Sequence, residues 1–416
     1  MQSWLRVAML GLLCVALSSG LRPWIEAVKG AFMPADIAQD IAAAKMFVEG
    51  VNPYGPAIRE RHAPLIGLPL AATFPHFPHP PFSLIVSLPL AFTTFPAGAA
   101  LWFGFTLALV FLLAVLLEAS SARTIGWWRF MLLLLIWPPV LYNIEKGQWS
   151  VLLAVLLALA WRSVQRGDVR GAAVWGSVAA AVKVFPVVLG AYFLLRSRRA
   201  AVLFAATGAL LTALPLAWIG IDAFPAFVRE SRSNMAQWDS YPLVMFSIHG
   251  AITRLFVGGR WAVPIVHAPL TAMILESAVL LTILGLAVWV TILANRRQAE
   301  PVLAFCAWVI LLPLINPQSL GHNGVLLALP VVYLFNLFSE GGRKWYGWAW
   351  AAAVVLISIP KQTVWRLATP PVSPVEGLAV ASLPTFGALL LFVLTIAVAR
   401  DRAVVPGATA VRPVVW

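Results

Sequence analysis

Apolar positions in this chain fall in long unbroken runs, without the two-residue alternation of a half-buried strand or the narrow stripe of a surface helix. They occupy roughly 5–21, 82–95, 97–118, 130–144, 148–161, 171–183, 184–195, 200–219, 264–293, 301–315, 322–338, 346–359 and 378–399. Runs such as Leu101–Leu117 and Leu378–Ala399 reach the length of about 18 apolar residues that reads as a membrane span. The pattern predicts an all-α polytopic membrane protein with about 11–13 membrane segments. It also predicts one integral domain over 1–416, with a helical first external loop at 22–80. The first run, 5–21, reads as a retained span, with a cleaved signal peptide as its alternative.

Composition agrees: 61% of the 416 residues are apolar and 11% are charged, against about 25% charged in a soluble domain. A soluble enzyme, a disordered chain and a coiled coil are excluded. Cys14 and Cys306 both lie in apolar runs, so neither a disulfide framework nor a zinc site is expected.

The net charge of +13 first suggests nucleic acid. Its distribution argues otherwise. Basic residues punctuate the runs at Arg123 with Arg129, at Arg162, Arg166 and Arg170, and at Arg196, Arg198 and Arg199. The same holds at Arg296–Arg297, Arg343–Lys344 and Arg400 with Arg402. Short cytoplasmic loops collect Lys and Arg, so these six face the cytoplasm, with anionic membrane lipids and not nucleic acid as partner. Placing them all on one side requires residues 171–195 to return as two half-helices, broken near Lys183 by Pro186. Residues 82–118 read as a short half before one full span. The external side then holds 22–80, 145–147, the Lys183 tip, 220–263, 316–323 and 360–377.

That side carries the candidate chemistry. After Pro34, Ile37–Val48 has helical character, and Asp36 and Asp40 lie four apart on one face. Either carboxylate could act on a sugar hydroxyl as a base; equally, Asp36 could be an N-cap and Asp40 a solvated residue. Asn52-Pro53-Tyr54-Gly55-Pro56 reads as a turn. Glu145 and Lys146 could mark the water boundary, and Gln148 either caps a helix or faces a cavity. Lys183 is costly inside a membrane and so faces an anion or a cavity, unless it snorkels. His322, beside Asn316, Pro317, Gln318 and Asn323, could relay a proton, hold phosphate or be a polar boundary. His76 and His79 are separated by prolines that prevent a shared helical face, so no metal site is expected there.

Four of these features in order resemble the polytopic polyprenyl-phosphate-dependent glycosyltransferases of the GT-C fold, most closely glycosyltransferase family 87. They are Asp36 followed by Pro53-Tyr54; His79-Pro80-Pro81 opening an apolar run; Gly147-Gln148 followed by Lys183-Val184-Phe185-Pro186; and Pro317 with His322. The chain departs from the family pattern at Ile37 and Asp40, where an aromatic and a tyrosine are usual. It departs again at Leu320 and Gly321, where a tryptophan and an acid are usual. The resemblance implies a GT-C-like bundle in the bacterial inner membrane, with its active site facing the periplasm. It implies inverting transfer of a sugar, mannose by family default, from a polyprenyl-phosphate donor to a glycolipid or glycan acceptor. Asp36 is then the catalytic base, with Asp40 as alternative. Lys183 and His322 hold the donor phosphate, and Asn52, Tyr54, His79 and Gln148 bind substrate. No cofactor and no metal are implied. Two other readings fit the bare pattern: a lipid transporter or flippase without transferase activity, since broken helices and an intramembrane lysine also mark transporters, and a non-catalytic scaffold.

Overall fold

The computed structural model describes residues 35–55, 57–66, 77–120, 126–238, 245–296, 298–340, 343–368 and 370–404. The expected first segment at 5–21, with Cys14, lies outside them, as do His76, Arg123 and Arg297. The described residues form helices joined by short turns, with three isolated bridges and no strand among them.

Helix α1, Ala35–Val48, carries Asp36 in its first turn and ends before Gly50, whose φ of 71° lets the chain reverse. Ile37, Ala38, Ile41, Ala42, Ala43, Ala44 and Met46 are buried on every side of it. The loop helix is therefore an inserted element and does not lie on a wet surface. Helix α2 spans Ala57–Ile66. Helix α3, Phe82–Ser87, runs into a 3-10 turn at Leu88–Phe92, and α4 follows over Phe95–Glu118 with Pro96 in its first turn. This is the short half before a full span expected over 82–118, and Pro89 and Pro96 mark the break.

The segment expected as one run at 130–144 is divided. Helices α5 (Trp127–Ile136) and α6 (Pro138–Lys146) meet at 65°. Pro138 and Pro139 can start a helix but cannot continue one. Trp137 is extended at the corner, and its indole N–H donates to Ser358 Oγ at 2.8 Å. Helix α7 covers Ser150–Gln165, and α8 covers Val169–Val182, with Asp168 capping it by accepting from Gly171 N.

At Lys183 the backbone is extended (φ −140°, ψ 136°). A 3-10 turn at Phe185–Val188 then leads into α9, Leu189–Arg196. The chain folds back here. A Cβ on Gly176, midway along α8, would lie 2.9 Å from the Phe193 ring of α9. In one straight helix those residues would be about 25 Å apart. The expected half-helices are thus present, with Lys183 near their tip.

Helices α10 (Arg198–Ile219), α11 (Ala223–Trp238), α12 (Ile248–Phe256) and α13 (Pro269–Asn295) follow. Helix α14, Pro301–Ile315, is apolar all round and buried from Val302 to Leu314, forming the core of the bundle. A 3-10 turn at Gly321–Leu327 leads into α15 (Ala328–Glu340), and α16 (Lys344–Ile357), α17 (Lys361–Leu367) and α18 (Leu383–Val404) complete the fold. Among the described residues, five helical segments are long and apolar enough to cross a membrane, and the bent α5–α6 pair could form a sixth. Segments at 82–92, 150–165, 169–182, 185–196 and 301–315 are shorter apolar helices. The protein is an integral membrane protein.

Loops expected on one side meet one another. Arg196 bonds Asn295, and Asp401 accepts from Tyr346 and pairs with Arg343. At the opposite end, Asp36, Gln148 and Lys183 meet, Met245 pairs with Leu320, and Lys361 pairs with Glu145.

Candidate active site

Three polar side chains from distant segments form a relay at that second end. Gln148 Nε2 donates to Asp36 Oδ2 at 2.7 Å, and Gln148 Oε1 accepts from Lys183 Nζ at 2.8 Å. The positions follow from local structure. Asp36 stands in the first turn of α1. Gln148 follows Gly147, whose left-handed φ of 71° ends α6 and turns the chain into α7. Lys183 sits where the helix breaks. The amide fixes its own orientation, since its N–H must meet the carboxylate and its carbonyl the ammonium. It also holds the two charges apart. All three residues are half-buried.

Asp40 lies one turn along α1 in a different environment, at 1% exposure. Its Oδ2 accepts from Trp149 Nε1 at 3.1 Å, while Oδ1 has no hydrogen bond and lies 3.8 Å from His79 Nε2. Burial raises the Asp40 carboxyl well above its usual range, against the lowering effect of the Trp149 bond, and the nearby Asp36 charge raises it further. Burial lowers His79 well below its usual value, and the Lys183 charge adds to this. Both shifts favour the neutral forms of the two groups.

His79 is fixed by its neighbours. Tyr54 OH donates to the His79 carbonyl at 2.9 Å, and the imidazole lies edge-on to Phe77 and Trp149. Asn52 Oδ1 accepts from Tyr54 N at 2.9 Å, an Asx turn that sets the tyrosine. Tyr54 is buried, so of the residues expected to bind substrate it and Asn52 shape the site from behind.

His322 occupies the 3-10 turn before α15, buried, with its ring 5.6 Å from that of Tyr142 and its Nδ1 atom unpartnered. The turn is tied down by a polar network. Ser150 Oγ donates to Asn323 Oδ1 at 2.9 Å, Asn323 Nδ2 donates to Ser319 Oγ at 3.2 Å, and Asn143 Oδ1 accepts from Ser150 N at 2.9 Å. Lys183, Lys146 and Lys361 are all close enough for their charges to act on His322. Cations thus gather around it, an arrangement suited to an anion.

The sequence singled out Asp36, Gln148 and Lys183, and the structure brings them into direct contact. It missed Trp149, Tyr142, Lys361 and the Asn143–Ser150–Asn323 network. Trp149 stood beside Gln148 in plain view; Lys361 had no local signal. No cluster of three or more metal-ligating side chains forms among the described residues.

A family model, that of glycosyltransferase family 87, matches residues 77–304, more than half of the chain. The matched span includes His79, Gln148 and Lys183, and it leaves Asp36 and His322 outside. A curated relative from Mycolicibacterium smegmatis (strain ATCC 700084 / mc(2)155) is 26% identical over 325 residues, covering 75% of this chain and 76% of its own length. It is a polyprenol-phosphate-mannose-dependent alpha-(1-2)-phosphatidylinositol pentamannoside mannosyltransferase.

Proposed function

The chain belongs to glycosyltransferase family 87, and on that footing we propose that it transfers mannose from a polyprenyl-phosphate donor to a glycolipid or glycan acceptor. The site faces the periplasm from the bacterial inner membrane, and the donor's tail lies among the membrane helices. The observation that carries this reading is the Asp36–Gln148–Lys183 relay, which offers a base and a cation to one ligand cluster.

Asp36 Oδ1, the oxygen not engaged by Gln148, takes the proton of an acceptor hydroxyl as its oxygen attacks the anomeric carbon. The bond from that carbon to the phosphate oxygen breaks on the opposite face, so configuration inverts. The electron pair leaves with the phosphate, whose growing charge Lys183 stabilises, with His322 beside it. Asp40 is the weaker candidate base. It is sealed off, bonded to Trp149, and burial favours its neutral form. Its part is to hold α1 against Trp149, and so to keep Asp36 beside Gln148.

The test is transfer from labelled polyprenyl-phosphate mannose in membranes carrying Asp36→Asn. A general base contributes roughly 10²–10⁴-fold, so loss on that scale is expected. Full activity would overturn the assignment of the base.

A further inference from the structure

A cleft opens between α6 and the start of α17, and Gly321, from the turn that carries His322, is part of its lining. Tyr142, Glu145, Lys361 and Gln362 line its polar wall, and Pro139 and Ile357 are among its apolar lining. The relay residues do not line it.

We propose that this cleft is the acceptor subsite, and that Glu145, Lys361 and Gln362 select an uncharged, hydroxyl-rich sugar. The inference rests on the glycosyl-transfer reading and adds where the acceptor sits.

Three observations support it. The first is charge. Lys361 Nζ is paired with Glu145 Oε1, and Gln362 Nε2 donates to Glu145 Oε2 at 3.4 Å. The wall therefore carries one positive and one negative group. A phosphate entering here would share Lys361 with a carboxylate that repels it. A sugar hydroxyl both donates and accepts, so Glu145 can take its proton side while Lys361 and Gln362 serve its lone pairs. The second is the apolar lining, which suits the C–H face of a pyranose. The third is position. The Lys361 ammonium sits 4.3 Å over the Tyr142 ring, and that ring lies edge-on to His322. The charge of Asp36 also reaches Tyr142 and Lys361. A sugar held in the cleft thus shares Tyr142 with His322, and Lys183, which does not line the cleft, is left for the donor phosphate.

The experiment measures initial rates in membranes at saturating labelled polyprenyl-phosphate mannose. The acceptor is a lipid extract from a strain lacking this protein, supplied in graded amounts. Glu145→Gln and Gln362→Ala are each expected to raise the apparent KM for the extract about tenfold, with the donor KM within twofold of wild type. A charge-swapped protein, Glu145→Lys with Lys361→Glu, separates binding from bracing. It can restore a tie between α6 and α17 but presents the wrong groups to the sugar, so it is expected to stay impaired. Recovery of the wild-type acceptor curve by the swap would overturn the proposal, and so would unchanged curves in the single variants or a change in the donor KM alone. If Asp36→Asn abolishes transfer while Glu145→Gln leaves the acceptor curve intact, only the cleft assignment fails. If Asp36→Asn transfers normally, the reading beneath it fails.

Discussion

Trp149 Nε1 and Asp40 Oδ2 share a 3.1 Å hydrogen bond between residues 109 positions apart, and the preceding residue, Gln148, reaches Asp36 in the same way. Two adjacent side chains thus clamp two carboxylates one turn apart on α1. Trp149→Phe removes one clamp and leaves both Asp40 oxygens without a hydrogen-bond donor. An orphaned buried acceptor costs about 1–3 kcal/mol. A lower melting temperature in detergent is expected, with transfer reduced but not abolished. A variant as inactive as Asp36→Asn would instead put Asp40 at the reacting centre.

Gln148→Glu is expected to be worse for catalysis than Gln148→Ala. The alanine variant loses orientation alone. The glutamate places a second negative charge between Asp36 and Lys183, ties up the cation and repels the first carboxylate. We expect kcat at saturating donor to fall at least tenfold further for glutamate than for alanine. Equal rates would show that the relay geometry does not govern the leaving group.

The raised Asp40 carboxyl makes stability depend on pH in a definite direction. The folded state holds this proton more tightly than the unfolded chain, whose Asp titrates near 3.8. The contribution of Asp40 is therefore full below that value, and it is lost as pH rises toward the raised folded value. Asp40→Asn never ionises, so its melting temperature relative to wild type should climb between pH 4 and pH 8. His79 acts oppositely. Its folded value is lowered, so its neutral-form contribution is present above about 6.5 and lost on acidification. A flat Asp40→Asn difference across that range would contradict a buried, neutral-favouring carboxyl.

The fold-back at Lys183 is testable at Gly176. A side chain there meets the Phe193 ring at 2.9 Å, and overpacking costs about 1–3 kcal/mol. Gly176→Val should lower folded yield and activity together, and Phe193→Ala should restore part of both. In a single straight helix Phe193 would lie too far away for any rescue.

The break at Lys183, the α1 helix and the placing of Asp36 and Lys183 at one end of the bundle could be read from the sequence because each rests on local marks: a proline after a lysine, a carboxylate after Pro34, and basic loops that must share a side. Pro138-Pro139 marked the 65° corner equally well, but the apolar run around it hid the signal. Asp40 could have been a solvated partner of Asp36. It is buried because α1 is covered on all sides, and coverage is a property of the assembled bundle. Lys361 was beyond reach for the same reason. Its partner Glu145 is 216 residues earlier, and nothing in the letters around either one names the other.

That separation bears on how the protein is made. Trp137 and Ser358 are 221 residues apart, Glu145 and Lys361 nearly as far. A nascent chain still short of α17 has Asp36, Gln148 and Lys183 already emerged but lacks the wall that closes the cleft. The wall that α17 lends to the cleft can form only once the chain has been made through Lys361, more than two hundred residues after the α6 wall it faces.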